Sequence, residues 1–262
     1  MIASVVRVPT LGLVLLLASA SAGASSTPAP PVALTASPSH LNLAGAGRAT
    51  VRLTNAGTSN VVVDVTRAGF ALDLRGRPKI VAASGQQRSA ARWLSFRPRV
   101  VALKPHASAG VAVTARPPPH AEPGDHDALL LMTSRRQLEV GVAARMRLGV
   151  VVVVRTPGTV VRRLVLLGLR VSRAQRARHT LELELGNHGN VTETLARGRV
   201  AVSLERGGRR LARLTAGPSL LRPGTRGVLV LPLRRALVGP VVARVDLGFE
   251  GGRVRRVYRL RL

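Results

Sequence analysis

Apolar residues recur at every second position through much of this chain. From Leu138 to Val150 the even positions are Leu, Val, Val, Ala, Met, Leu and Val, while the odd positions are Glu, Gly, Ala, Arg, Arg and Gly. A period of two puts one face in a core and leaves the other outside it, so the run predicts a strand. Leu181-Glu-Leu-Glu-Leu185 and Val200-Ala-Val-Ser-Leu204 alternate in the same way. The unbroken run Leu148–Val154, closed by Arg147 and Arg155, reads as a buried strand. Gly, Pro and Asn punctuate these runs, and no long stretch shows helical spacing.

A weak internal repeat predicts two similar units. Leu53-Thr-Asn-Ala-Gly57 is echoed by Leu185-Gly-Asn-His-Gly189, and Leu103-Lys-Pro105 by Leu221-Arg-Pro223. A Gly/Pro turn then precedes an apolar strand in each unit, Pro123-Gly124 before Ala128–Met132 and Gly239-Pro240 before Val241–Val245. Strand, Asn-Gly turn, strand, Leu-basic-Pro turn, strand is the order of an immunoglobulin-like sandwich. The expected fold class is therefore all-β, with two tandem immunoglobulin-like antiparallel β-sandwich domains after a signal peptide. The expected domains span 33–156 and 160–262, joined near Thr156-Pro-Gly-Thr159.

The N-terminus reads as an export signal over 1–24. Arg7 supplies its charge, Leu11–Leu17 its short apolar stretch, and Ala18-Ser-Ala20, Ala20-Ser-Ala22 and Ala22-Gly-Ala24 its cleavage options. Residues 25–32 follow as a Pro-rich leader, and no later apolar run is long enough to span a bilayer as a helix. The sequence has no cysteine, which excludes a lipoprotein anchor, a thiol nucleophile and disulfides.

The first unit resembles the peptidoglycan-binding domain of WxL-interacting proteins and, more distantly, the periplasmic pilus chaperones. The residues that carry this are Val51-Arg-Leu-Thr-Asn55, Trp93-Leu94, Val101–Pro105, Pro123-Gly-Asp-His126 and the run Val140–Val154. The second unit resembles the partner-binding domain of the WxL-interacting family through Asn187-His-Gly-Asn190 and Leu221-Arg-Pro-Gly224. The C-terminal membrane helix of that family has no counterpart here. The resemblance implies an exported, non-enzymatic adaptor of the cell envelope that binds cell wall or an anionic surface polymer together with a partner surface protein. The alternative is a pilus-type periplasmic chaperone, using the run from Leu138 to Val154 to complete a client's sheet by strand addition.

Charge sharpens the choice of partner. There are 40 Lys+Arg against 12 Asp+Glu, and only Lys79 and Lys104 are lysines. Such an excess attracts polyanions. The alternation puts Arg253, Arg255, Arg259 and Arg261 on one face of a terminal strand, interrupted by Val257, with Arg256 breaking its apolar face. Arg145 and Arg147 share the outer face of the long run from Leu138. Guanidinium rows hold phosphate and carboxylate well, so these six are the candidate anion- or polymer-binding residues. Export and the presence of only five aromatic residues argue against nucleic acid.

Catalytic motifs are missing from the sequence, which holds no G-x-S-x-G elbow, S-x-x-K or H-E-x-x-H. No cofactor is expected. His120, Glu122 and His126 are weak metal candidates, outweighed by a reading of His120–Asp127 as a turn with surface side chains. Trp93 reads as a core tryptophan.

Overall fold

The computed structural model describes residues 33–82, 88–135, 137–139, 142–173, 179–233 and 237–262. The expected signal and leader over 1–32 lie outside the described residues. In chain order the first strands are β1 (Leu34–Ser37), β2 (His40–Ala44), β3 (Arg48–Asn55), β4 (Val61–Leu72), β5 (Pro78–Val81) and β6 (Leu94–Arg97). They are followed by β7 (Val100–Leu103), β8 (Ser108–Ala115), β9 (Gly124–Ser134), β10 (Gln137–Glu139), β11 (Val142–Ala144) and β12 (Arg147–Thr156). The second set is β13 (Leu164–Arg173), β14 (His179–Asn187), β15 (Glu193–Leu195), β16 (Val200–Arg206) and β17 (Arg209–Thr215). It ends with β18 (Ser219–Leu221), β19 (Arg226–Pro232), β20 (Pro240–Phe249) and β21 (Gly252–Arg261).

In the first sandwich, sheet β1-β3-β8-β6 packs on sheet β2-β12-β9-β4, with β5 and β7 beside β4. Alternate residues of both sheets meet inside: Val51, Leu53, Val111 and Val113 from one, Val63, Leu130, Met132, Val150 and Val152 from the other. Burying each such side chain contributes about 1.5–3 kcal/mol. The second sandwich sets β13-β14-β19 against β17-β16-β20-β21, with β15-β18 as a separate pair. Its core holds Leu181, Leu183, Leu185, Val202, Leu204, Leu231, Val245 and Leu247. The chain is thus two tandem immunoglobulin-like sandwiches, as the alternation predicts.

The internal repeat turns out to be one polar clamp built twice. Asn55 is fully buried; its Nδ2 donates to the carbonyls of Ser59 at 2.8 Å and Lys104 at 3.1 Å, and its Oδ1 accepts from Gly57 N at 3.0 Å. Asn187, also fully buried, donates to the carbonyls of Val191 at 2.8 Å and Leu221 at 2.9 Å and accepts from Gly189 N at 2.9 Å. Each Asn-x-Gly loop is thereby tied to the Leu-basic-Pro turn of its own sandwich. A buried asparagine with its bonds made fixes a loop that apolar packing alone would leave free to slide.

One expectation needs correction. The run 138–150 is not a single strand: Gln137–Glu139 pairs antiparallel with Val142–Ala144, and the chain then enters β12 at Arg147. The alternation in the sequence runs unbroken across the reversal and so does not mark it. Of the residues expected to face the first core, Met146 and Leu148 pack against it. The side chains of 138, 140, 142 and 144 lie outside the described residues. Trp93 closes a short 3-10 turn, packs on the core half-buried, and lies 4.4 Å from the His126 ring between centroids.

Candidate functional site

Strand β12 has an unequal pair of neighbours. Along its whole length it pairs antiparallel with β9, from Arg147↔Thr133 to Thr156↔Gly124. On its other side β2 runs parallel to it, but only over Val151–Arg155, and Val151 N donates to the Ser39 carbonyl at 3.0 Å. Among the described residues no strand lies against that side of Arg147–Val150. Its inward side chains there are Leu148, half-buried at the lip of the core, and Val150, fully buried. The β10–β11 pair carries the β9–β12 hairpin onward, joined where Ser134 N donates to the Met146 carbonyl at 2.9 Å. An edge of unpaired N–H and C=O groups beside apolar side chains is what a further strand needs for pairing.

The other end of β9 meets the second sandwich. Gly124 has φ +108°, and a Cβ there would stand 2.1 Å from the Asn190 carbonyl oxygen, so only glycine lets the two backbones approach. Asp125 N donates to that same carbonyl at 2.8 Å. The Asp125 carboxylate is 1% exposed, accepts from Arg155 Nε at 2.6 Å and Nη2 at 3.0 Å, and accepts from Thr192 N at 2.7 Å. Bonding to Asp125 raises the Arg155 pKa further. Beside it Arg162 bridges Glu193 at 2.9 Å and Glu250 at 2.5 Å. Asp125, Arg155, Arg162, Thr192 and Glu250, with His40 and Asn42, line a cavity of ≈ 450 Å³ between the sandwiches. Both of its arginines are held by carboxylates, so the cavity presents no free guanidinium to an anion.

Asp127 and Arg222 form a buried ion pair across the junction, and the Arg222 guanidinium also lies over the Phe70 ring, 5.4 Å from its centroid. Burial pushes the Asp127 carboxyl above its ordinary range, with Arg222 pulling the other way. Between these two aspartates, His126 is 4% exposed; its Nε2 meets the Glu122 carbonyl at 2.8 Å and its Nδ1 has no partner. Desolvation holds its pKa down, since a second ring proton would find no acceptor.

The turn reading of His120–Asp127 is therefore corrected: Asp125, His126 and Asp127 belong to β9 and are buried at the junction. Of the weak metal candidates, the Glu122 carboxylate faces Arg88 at 3.0 Å and His120 is exposed. No group of three metal-ligating side chains occurs among the described residues.

The arginine candidates fall into two separate places. Arg253, Arg255, Arg259 and Arg261 are exposed on the outer face of β21; the first two reach Asp246 at 2.7 and 3.7 Å. Arg147 is exposed on β12, and Arg145, also exposed, sits between strands rather than on one long strand. Arg256, which interrupts the apolar face, donates to the Leu166 carbonyl at 2.8 Å and lies over Tyr258. Asp125, Asp127, Arg155 and Arg222 were not singled out as site residues; the one available signal was the basic residue of the second Leu-basic-Pro turn.

No family model matches the chain, and no curated relative does. The resemblance to WxL-interacting proteins therefore gains no support. Among solved structures the chain is similar to the class 5 fimbriae chaperone CfaA, at 11% identity and a TM-score of 0.50, covering 86% of this chain and 98% of that one. It is also similar to the Pseudomonas aeruginosa CupB2 chaperone, at 13% identity and a TM-score of 0.41, covering 87% and 100%. At such identity the likeness to CfaA is one of fold.

Proposed function

We propose that this chain is an exported, non-enzymatic chaperone that holds a fimbria-type surface subunit by adding its own strand to the client's incomplete sheet. The observation that carries this reading is the half-covered β12. Beyond Val150 its outer side is taken by β2; before Val151 it offers backbone groups with Leu148 and Met146 alongside. Strand addition draws affinity from main-chain hydrogen bonds and selectivity from alternate side chains. The fold likeness supports this over the wall-binding adaptor expected from the sequence, for which no comparison speaks.

The test is co-expression, in an export-competent bacterium, with a fimbrial subunit lacking one strand of its sandwich. The subunit is expected to be recovered in an equimolar complex with this protein. Replacing Leu148 with Asp places a charge on the apolar row and is expected to abolish recovery while leaving the second sandwich folded. Recovery of the subunit undiminished by that change, or no complex with the parent chain, would defeat the reading.

A further inference from the structure

The outer face of sheet β17-β16-β20-β21 carries more charge than the alternation of β21 alone announces. Register aligns Arg213, Ser203, Arg244 and Val257 in one cross-strand row and Ala201, Asp246 and Arg255 in the next. A third row holds Arg210, Glu205, Val242 and Arg259, with Arg253 and Arg261 at the two ends of β21. Seven exposed arginines thus share one face with two carboxylates, Glu205 and Asp246. With strands about 4.8 Å apart, the guanidinium groups cover a patch on the order of 15 by 30 Å. Sheet β1-β3-β8-β6 of the first sandwich is a contrast: its outer face holds Arg48, Arg52 and Arg97 among Thr35, Thr50, Thr54, Ser95 and Ser108. A basic composition alone would have loaded both faces alike.

The shape of the patch selects among anions. A linear polymer is matched by a groove or a single file of charges, whereas these spread in two dimensions across four strands. In their midst Val257 is 54% exposed, an apolar side chain that a headgroup region accommodates. We infer that this face docks the second sandwich flat on an anionic phospholipid surface, leaving the β12 edge of the first sandwich free. The inference does not depend on the strand-addition reading, because the two use different sandwiches.

The test is sedimentation of the purified protein with vesicles of phosphatidylcholine alone, or mixed with phosphatidylglycerol. Binding is expected only to the anionic vesicles and should fall steeply with salt, exposed charges being screened within about 8 Å at physiological ionic strength. Arg213, Arg259 and Arg261 have no ion-pair partner among the described residues, so replacing them with Gln leaves no orphaned acid. Partitioning is expected to fall about fivefold per arginine, on the order of a hundredfold for the three. Replacing the same three with Lys should retain binding, and replacing Arg48, Arg52 and Arg97 with Gln should leave most of it. Equal losses from the two Gln triples would mean a diffuse field and overturn the assignment. So would an absence of vesicle binding, or retention of soluble polyphosphate without vesicle binding, which would mark a linear-polymer site.

Discussion

Arg222 donates to the carboxylate of Asp127 from 95 residues further along the chain, with the two side chains 6% and 2% exposed. The pair welds the Leu-basic-Pro turn of the second sandwich to the first strand residues of β9. At the equivalent turn of the first sandwich the basic residue is Lys104, and it is exposed. The same local motif therefore serves as an ordinary turn in one half and as a clasp in the other.

Removing one partner should be far worse than removing both. Arg222→Met leaves a buried carboxylate unpaired and is expected to cost about 3–5 kcal/mol. The double variant Asp127→Leu with Arg222→Met should return to within about 1 kcal/mol of the parent, because no desolvated charge remains. Urea unfolding of the four members of the cycle gives the coupling directly.

Stability should also fall on mild acidification, through His126. Its pKa is held below the ordinary 6.5 by burial, with Glu122, Arg88, Asp127 and the Trp93 ring around it. A histidine depressed in the folded state binds fewer protons there than in the unfolded chain. Stability is therefore lost as pH drops below about 6.5 and levels off once the folded form is protonated too. Asp127, whose pKa is raised by burial, acts in the opposite sense. The difference between parent and His126→Asn isolates the histidine: melting temperatures followed from pH 7.5 to about pH 5 should show a shallower slope for the variant.

The two asparagine clamps predict matched but separable losses. Asn55→Ala and Asn187→Ala each strand buried carbonyls and one backbone N–H, and each is expected to cost about 2–3 kcal/mol. Hydrogen exchange should show the first variant loosening around Gly57 and Lys104, and the second around Gly189 and Leu221. Loss of protection spread evenly over both sandwiches would mean that the clamps are not local devices.

Gly124 can be set against a glycine with a similar backbone but open surroundings. Gly198 has φ +84° with nothing near its missing Cβ, so Gly198→Ala should cost only the conformational strain, about 1–2 kcal/mol. Gly124→Ala must in addition push Asn190 away, and should cost more while exposing the Asp125 and Asn190 amides to exchange.

Much of the fold was legible because strands announce themselves locally. Leu181–Leu185 and Val200–Leu204 alternate and become β14 and β16, and the echo of Asn55 in Asn187 led straight to two sandwiches with the same clamp. The reversal between β10 and β11 was hidden because the alternation in the sequence runs on across it. The junction was hidden for another reason: β9 is buried on both faces, so its first residues look like a polar turn until Arg155, Thr192 and Arg222 arrive from 30, 67 and 95 positions away. Burial of a charge is decided by its partner, and no window of neighbouring residues contains that partner. The arginines of β21 were visible, but the cross-strand rows into which Arg210, Arg213 and Arg244 fall exist only in the register of four strands.

The parallel pairing of β2 with β12 works as an end stop. Because the Ser39 carbonyl already holds Val151 N, any strand laid along β12 from the hairpin side must halt at Val150. Its depth of entry is then counted out by the protein's own backbone, one residue at a time, and a client strand slipped by a single residue would turn its apolar side chains to the water. If the proposed strand addition holds, β2 would set the register of the added strand, and shortening β2 would be expected to blur it.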